Sequence, residues 1–208
     1  MKHIFTQYYY DKFWSSHESD SGRGSELKYT SNLRNKLVNF CRKNNVRSIL
    51  DAPCGDFNWM RHVVNLSNNK IRYVGVDIVK PLIVRNDTYY SNRKINFFCD
   101  DITVNLARYN VPDLLVMRDF LFHIPFSDID SVFQSVKIMN PKFFAVTNHP
   151  ECNVNTDIIP GGFRELNLSL EPFKLDVGKS VMRITDYIEG FPPREILIFE
   201  NFGEFYDR

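Results

Sequence analysis

From Val46 onward, short runs rich in β-branched and aromatic residues alternate with stretches of helical length, which is the sequence form of successive βαβ units and a largely parallel sheet. The pattern predicts strands over Arg47–Ala52, Ile71–Ile78, Ile95–Cys99, Leu114–Arg118 and Lys142–Asn148. Each is mostly apolar on both faces, as strands covered by helices on both sides are. The intervening spacing predicts helices near Thr30–Lys43, Asn58–Leu66, Lys80–Tyr90 and Phe126–Met139, the last with Ser127 as its N-cap, and a loop at Arg108–Pro112. Beyond Pro150 come turn signals at Pro160-Gly161-Gly162, then runs at Ser180–Ile188 and Arg194–Glu200 around a Gly190–Pro193 corner. Those two runs read as an antiparallel hairpin. The expected fold is α/β, a doubly wound, mostly parallel seven-stranded sheet with a C-terminal antiparallel hairpin. Its ligands should lie at the carboxyl ends of the strands, near the switch in strand order.

The size suits one domain: 208 residues, of which 43% are hydrophobic and 25% charged, a balance that excludes disordered, collagen-like and coiled-coil chains. Lys and Arg number 26 against 25 Asp and Glu, so no global basic field exists to hold nucleic acid or an anionic membrane. The basic pairs Arg42-Lys43 and Arg93-Lys94 read as solvated helix ends. Cys41, Cys54, Cys99 and Cys152 form no CxxC pair and have no histidine at zinc-finger spacing, and are expected as free thiols in a reducing compartment. The N-terminus lacks the pattern of a secretory signal, and no window approaches the ~18 apolar residues of a membrane span. A soluble, cytoplasmic protein is the expectation, as a monomer or homodimer.

The first strand runs into Asp51-Ala52-Pro53-Cys54-Gly55-Asp56-Phe57, a tight strand-to-helix turn with two carboxylates where a nucleotide-binding fold keeps its cofactor loop. A dinucleotide site needs the glycines of GxGxxG so that the backbone can approach a pyrophosphate. Only Gly55 is present, which argues against a nicotinamide-dependent oxidoreductase. Asp51 and Asp56 repel phosphate but suit a ligand bearing an ammonium and a sulfonium cation, as S-adenosylmethionine does. The second strand ends at Asp77, about twenty residues past the first loop, where a ribose would present two hydroxyls. The third ends in Cys99-Asp100-Asp101-Ile102, where a carboxylate can accept from an adenine amino group while an apolar neighbour covers the ring. A single aspartate at a strand end is commonly a turn former or helix cap. Three in succession, spaced by helix-length gaps, point to a ligand.

The stretches Ile49–Met60, Tyr73–Ile83 and Leu114–Ile124 resemble those of class I S-adenosylmethionine-dependent methyltransferases, whose fold is Rossmann-like, and more narrowly the subgroup bearing DAPCGDF. That subgroup also carries an N-terminal stretch like Trp14 with Glu18–Ser25, and a later one like Gly162–Leu168, so the resemblance covers most of residues 14–170. It implies that Asp51, Gly55 and Asp56 surround the methionine part of the cofactor, Asp77 the ribose, and Asp101 with Ile102 the adenine, with Pro53 and Ile78 also among the cofactor-binding residues. Met117 and Arg118 would line the cofactor at the fourth strand. Pro53 and Phe57 stand where the broad class has glycines, a departure the subgroup shares. The Ser21–Ser25 run reads either as a flexible linker or as part of a lid over residues 1–30, in which Trp14 and Ser25 close on the cofactor and Arg23 meets its carboxylate; residues 31–208 then form the methyltransferase domain. Trp59 reads as core or as a cofactor contact.

The Asn/Asp-Pro-Pro-Tyr/Phe motif of base-amine methyltransferases is missing after the fourth strand, which ends Met117-Arg118-Asp119-Phe120. A hydroxyl acceptor needs a base to take its proton. The candidates, in order, are Asp119, His123 and His149, with Glu151 beside the last; Arg118, if unpaired, would bind an anionic substrate group. The subgroup resemblance brings in enzymes that decorate glycans, and a sugar hydroxyl, including that of a deoxysugar such as rhamnose, is the first expectation for the acceptor. Phe120, Phe122, Phe163 and Phe173 read either as aromatics that stack on sugar faces or as core. Alternatives are a small-molecule or phosphoramidate O- or N-methyltransferase, and a non-catalytic module that binds the same cofactor. Asp119 with Asp157 could ligate a divalent ion, but no spacing compels it, and no required metal is expected.

Overall fold

Seven strands form one sheet in a computed structural model that describes residues 1–67, 71–204 and 206. In chain order the elements are α1 (Lys2–Tyr10), α2 (Leu27–Lys43), β1 (Ser48–Asp51), α3 (Met60–Leu66), β2 (Arg72–Asp77), α4 (Lys80–Tyr90), β3 (Ile95–Cys99), α5 (Ile102–Asn105), β4 (Leu114–Met117), α6 (Phe126–Met139), β5 (Phe143–Asn148), β6 (Met182–Thr185) and β7 (Glu195–Glu200). The strand order is β3-β2-β1-β4-β5-β7-β6, parallel throughout except that β7 runs antiparallel to β5 and β6. This is the expected sheet. Winding reverses between β1 and β4, so a crevice opens at their carboxyl ends.

Strand alternation sorts the core into two layers. Leu50, Leu115, Met117, Phe144, Val146, Leu197 and Phe199 face α6 with its Ile129, Val132, Phe133 and Val136. Their neighbours Ile49, Leu114, Val116, Phe143, Ala145, Ile196 and Ile198 face α2 and α3 through Leu33, Leu37, Met60 and Val63. Each such side chain contributes about 1.5–3 kcal/mol by leaving water.

Four features differ from the sequence reading. The strand β3 is a sheet edge rather than a covered strand: Phe98 is 45% exposed and Cys99 is exposed too. Helix α6 is not capped by Ser127. It begins at Phe126 after Pro125, and the Phe126 N–H donates to Asp157 Oδ1 at 2.8 Å, a cap supplied from 31 residues away. Helix α2 starts three residues earlier than expected because Glu18 Oε1 accepts the Leu27 N–H at 2.8 Å. Finally, α1 was not foreseen; it packs Phe5 into the layer beneath α6.

Candidate functional site

The carboxyl ends of β1, β2 and β4 open into a cavity of about 510 Å³ that the N-terminal residues roof over. That volume suits a small organic ligand. Asp51, the last residue of β1, lies in its wall and is 2% exposed. Its Oδ2 accepts from the Tyr73 hydroxyl at 2.7 Å, yet burial pushes the carboxyl up to about 7. Asp77, the last residue of β2, is pushed up by burial to about 6 while it accepts the Val79 and Gly55 N–H groups at 3.0 and 3.1 Å. Asp101 caps α5, its Oδ1 accepting the Thr103 N–H at 3.1 Å, and it still lines the cavity beside Ile102. Ile78, Val79 and Leu82 make the adjoining apolar wall, and Pro53 and Gly55 the turn beneath. Phe57, in place of a glycine, adopts the left-handed backbone at φ 61, and its ring lies 4.6 Å from that of Tyr73. Ring packing of this kind offsets the ~1–2 kcal/mol cost of that conformation.

Asp56 is not in the cavity wall. Its Oδ2 accepts from Ser19 Oγ at 2.8 Å and from the Asp20 N–H at 2.9 Å, and its own N–H donates to Ser21 Oγ at 2.9 Å. Asn58 Nδ2 reaches Glu18 Oε1 at 2.6 Å and the Ser25 carbonyl at 3.0 Å, and Arg85 of α4 pairs with Asp20. The Ser21–Ser25 run is therefore tied to the first loop, and not a free linker. A Cβ at Gly55 would stand 2.3 Å from Ser21 Oγ, so only glycine permits this approach. Trp14 and Ser25 line the cavity, the Trp14 ring lying 5.1 Å from His123. Arg23 also lines it, its guanidinium against the Tyr29 hydroxyl and 6.0 Å from the Phe191 ring. Trp59 packs in the core and also borders the cavity beneath the Arg118 guanidinium, 5.3 Å away.

Past β4, Arg118 is not unpaired. Its Nε and Nη2 reach the Asp186 carboxylate at 2.8 and 3.1 Å, Nη1 lies 3.1 Å from Asp119 Oδ2, and Nη2 donates to the Gly24 carbonyl at 2.8 Å. Arg194 completes the group, 3.0 Å from Asp119 Oδ2 and 3.2 Å from Asp186 Oδ2. An anionic substrate group would have to displace these partners. Burial raises the Asp119 carboxyl, but the two guanidinium groups outweigh it and hold Asp119 below the usual carboxylate range, which weakens it as a base. His123 Nδ1 stands 2.7 Å from the Gly162 carbonyl, which only accepts, so Nδ1 carries the proton and Nε2 the lone pair. Burial keeps this ring below its ordinary value and hence neutral at pH 7.

Two further expected residues lie outside the wall. Met117 points into the core layer facing α6, as strand alternation requires of the residue before Arg118. His149 is 2% exposed, its Nδ1 accepts the Leu166 N–H at 3.2 Å, and burial pushes it down to about 4. The Phe122 ring packs edge-on against it, and neither His149 nor the exposed Glu151 borders the cavity. Phe120, Phe122 and Phe163 do, whereas Phe173 is core. Sequence reasoning missed Asp186 and Arg194, whose hairpin positions carry no local motif.

Among the described residues no group of three or more His, Cys, Asp or Glu side chains is placed to hold a metal ion, and no helix is long and apolar enough to cross a membrane. Asp157 is taken up in capping α6.

No family model matches the chain, and no curated protein sequence matches it. The structure is similar to magnesium protoporphyrin IX methyltransferase from Synechocystis PCC 6803 with bound S-adenosylhomocysteine, at TM-score 0.65 and 11% identity over 95% of this chain and 98% of that one. It is similar to human N-acetylserotonin methyltransferase in complex with S-adenosylmethionine, at TM-score 0.58 and 10% identity over 83% of this chain and 52% of the human one, so it spans about half the length of that enzyme. An O-methyltransferase family protein from Burkholderia thailandensis matches at TM-score 0.57 and 9% identity, over 96% and 70% of the two chains. At these identities the likeness is one of fold.

Proposed function

We propose that the protein is an S-adenosylmethionine-dependent O-methyltransferase. The observation that carries this reading is the convergence of Asp51, Asp77 and Asp101, from three successive strand ends, on one cavity with an apolar wall. The donor set fits the cofactor: buried carboxyls with raised values gain most from a nearby cation or hydroxyl donor, and Ile78 and Ile102 line the cavity with apolar groups beside Asp101. In this assignment Asp51, with Pro53 and Gly55, holds the methionine part, Asp77 the ribose hydroxyls and Asp101 the adenine amino group. Asp56 serves by fastening the N-terminal lid, and Trp14 and Ser25 close it.

When bound, the cofactor supplies an electrophilic methyl group on its sulfonium. The chain supplies the rest. His123 Nε2 accepts the acceptor's hydroxyl proton, Asp119 orients the pair of guanidinium groups beside it, and the lid excludes water. In this reading His123 stands ahead of Asp119 as the base, because the two guanidinium groups weaken Asp119 while the His123 Nε2 lone pair is free of the Gly162 contact. The acceptor we propose is a sugar or glycan hydroxyl, in keeping with the subgroup resemblance and with Phe122 and the half-exposed Phe163 ring beside His123. Four free cysteines among the described residues accord with action in the cytoplasm.

The test is calorimetric titration with S-adenosylmethionine and S-adenosylhomocysteine, repeated on Asp77→Ala. Micromolar binding of both is expected, weakened by roughly 1–3 kcal/mol in the variant through loss of charge-assisted contacts. Binding justifies a screen of sugar nucleotides and deoxysugar glycosides for methyl transfer. Absence of binding to either ligand would overturn the reading.

A further inference from the structure

Arg164 is an arginine buried to 5% exposure that forms no ion pair with a carboxylate among the described residues. Its Nε is buried without a hydrogen-bond partner, and its guanidinium rests 4.9 Å from the Phe126 ring. Burial pushes it down to about 10. Asp157 attracts it from beyond ion-pair distance and offsets this burial only in part, and a buried charge without a close counter-ion opposes folding.

What it holds is the turn that carries His123. Arg164 Nη2 donates to the Leu121 carbonyl at 3.2 Å and Nη1 to that of Ile124 at 2.8 Å. The Arg164 N–H donates to the Phe122 carbonyl at 3.2 Å and the Gly161 N–H to that of His123 at 2.8 Å. All four consecutive carbonyls of the turn are thus gripped by residues 161–164, and the Gly162 carbonyl takes the His123 Nδ1–H in return. The forked guanidinium sets separate nitrogens on carbonyls at both sides of the histidine, where a lysine would offer one nitrogen for both.

We propose that Arg164 is a positioning residue: its guanidinium clamps the Leu121–Ile124 turn so that His123 keeps its proton on Nδ1 and presents Nε2 to the acceptor. The inference rests on the reading of His123 as the base. The charged and titratable groups around the ring are Asp119 after β4, which favours protonation, and Arg164 and Arg194, which oppose it, with His149 after β5 behind Phe122. Arg164 therefore also helps to keep the ring neutral.

The experiment is a pH titration of the imidazole signals by two-bond 1H–15N correlation on the full chain and on Arg164→Lys and Arg164→Met, with His123→Gln to assign the signal. In the unaltered protein the neutral His123 ring should show the Nδ1–H pattern. In Arg164→Met that pattern gives way to a mixture with Nε2–H and the titration midpoint rises; Arg164→Lys keeps the low midpoint and loses only the tautomer. Unchanged affinity for S-adenosylhomocysteine shows that the variants are folded. An unaltered tautomer and midpoint in both variants would reduce Arg164 to packing, and an Nε2–H ring in the unaltered protein would overturn the inference without any variant. Neither readout depends on turnover, so a full rate in His123→Gln, which would remove His123 as the base, is a separate outcome.

Discussion

Asp51 and Asp77 are acids that burial keeps partly protonated near neutrality, at about 7 and about 6. Because the folded values lie above the unfolded ones, the unliganded protein binds more protons than the unfolded chain between pH 4 and 7. These two groups therefore stabilise it as pH falls and destabilise it as pH rises. A ligand that sets a cation beside Asp51 and donates hydroxyl hydrogen bonds to Asp77 reverses the balance, since it needs the ionised acids. Affinity for S-adenosylmethionine should accordingly climb from pH 5 to pH 8, by up to about tenfold per unit for each acid that must ionise. Calorimetry at four pH values checks this, and a flat profile removes the two acids from ligand binding. His123 obeys the opposite sign: burial lowers its value, so its lone pair is already present at pH 7. Replacing it by glutamine should leave cofactor affinity intact and lower turnover about 10²–10⁴-fold. An equal loss of cofactor affinity would mean that the ring acts through binding.

At the scale of elements, α1 and Trp14 of the N-terminal segment pack on the core, whereas residues 18–25 are held by side chains of the first loop and α4. Asp56→Ala removes two hydrogen bonds to Ser19 and Asp20, worth about 1–3 kcal/mol between them. The variant should melt several degrees below the unaltered protein and be cleaved faster by protease between residues 11 and 24, with S-adenosylhomocysteine restoring protection; equal cleavage of both proteins would detach Asp56 from the lid. This is also where sequence reading reached its limit. The β3 and α4 boundaries and those of α6 are legible because apolar periodicity and turn residues sit beside one another in the chain. Asp51 and Asp77 are legible because each ends a strand, and Asp101 because it follows the end of the next one. The roles of Asp56, Asp157 and Glu18 are not, since each carboxylate answers a backbone or hydroxyl donor brought to it only by the finished fold. The same holds for His149, whose place after β5 looks like that of His123 after β4 until Leu166 is seen to occupy its Nδ1.

Over the whole molecule, one charge-balanced group joins parts that are remote in sequence. Arg118 and Asp119 follow β4 at the sheet centre, Asp186 and Arg194 flank the turn of the β6–β7 hairpin, and Gly24 belongs to the N-terminal segment. Two guanidinium groups and two carboxylates interlock within 2.8 to 3.2 Å, and the Asp186 side chain is wholly buried. Gly24 lies so close that a Cβ there would meet Arg194 Nη2 at 3.0 Å and Asp119 Oδ2 at 3.1 Å. Asp119 itself takes a left-handed backbone at φ 55, strain that the two arginines offset by holding its carboxylate. Buried charges of this kind add little net stability when complete, but removing one member leaves an uncompensated charge and costs about 3–5 kcal/mol. Asp186→Asn keeps the shape and leaves two arginines facing Asp119 alone. It should lower unfolding stability in urea by that amount, and weaken S-adenosylhomocysteine binding as well, because Arg118 is then freed from the geometry in which it holds the Gly24 carbonyl. A loss below about 1 kcal/mol would show that the group is solvated rather than interlocked. A full stability loss with unchanged affinity would show that the sheet and the lid are stabilised independently.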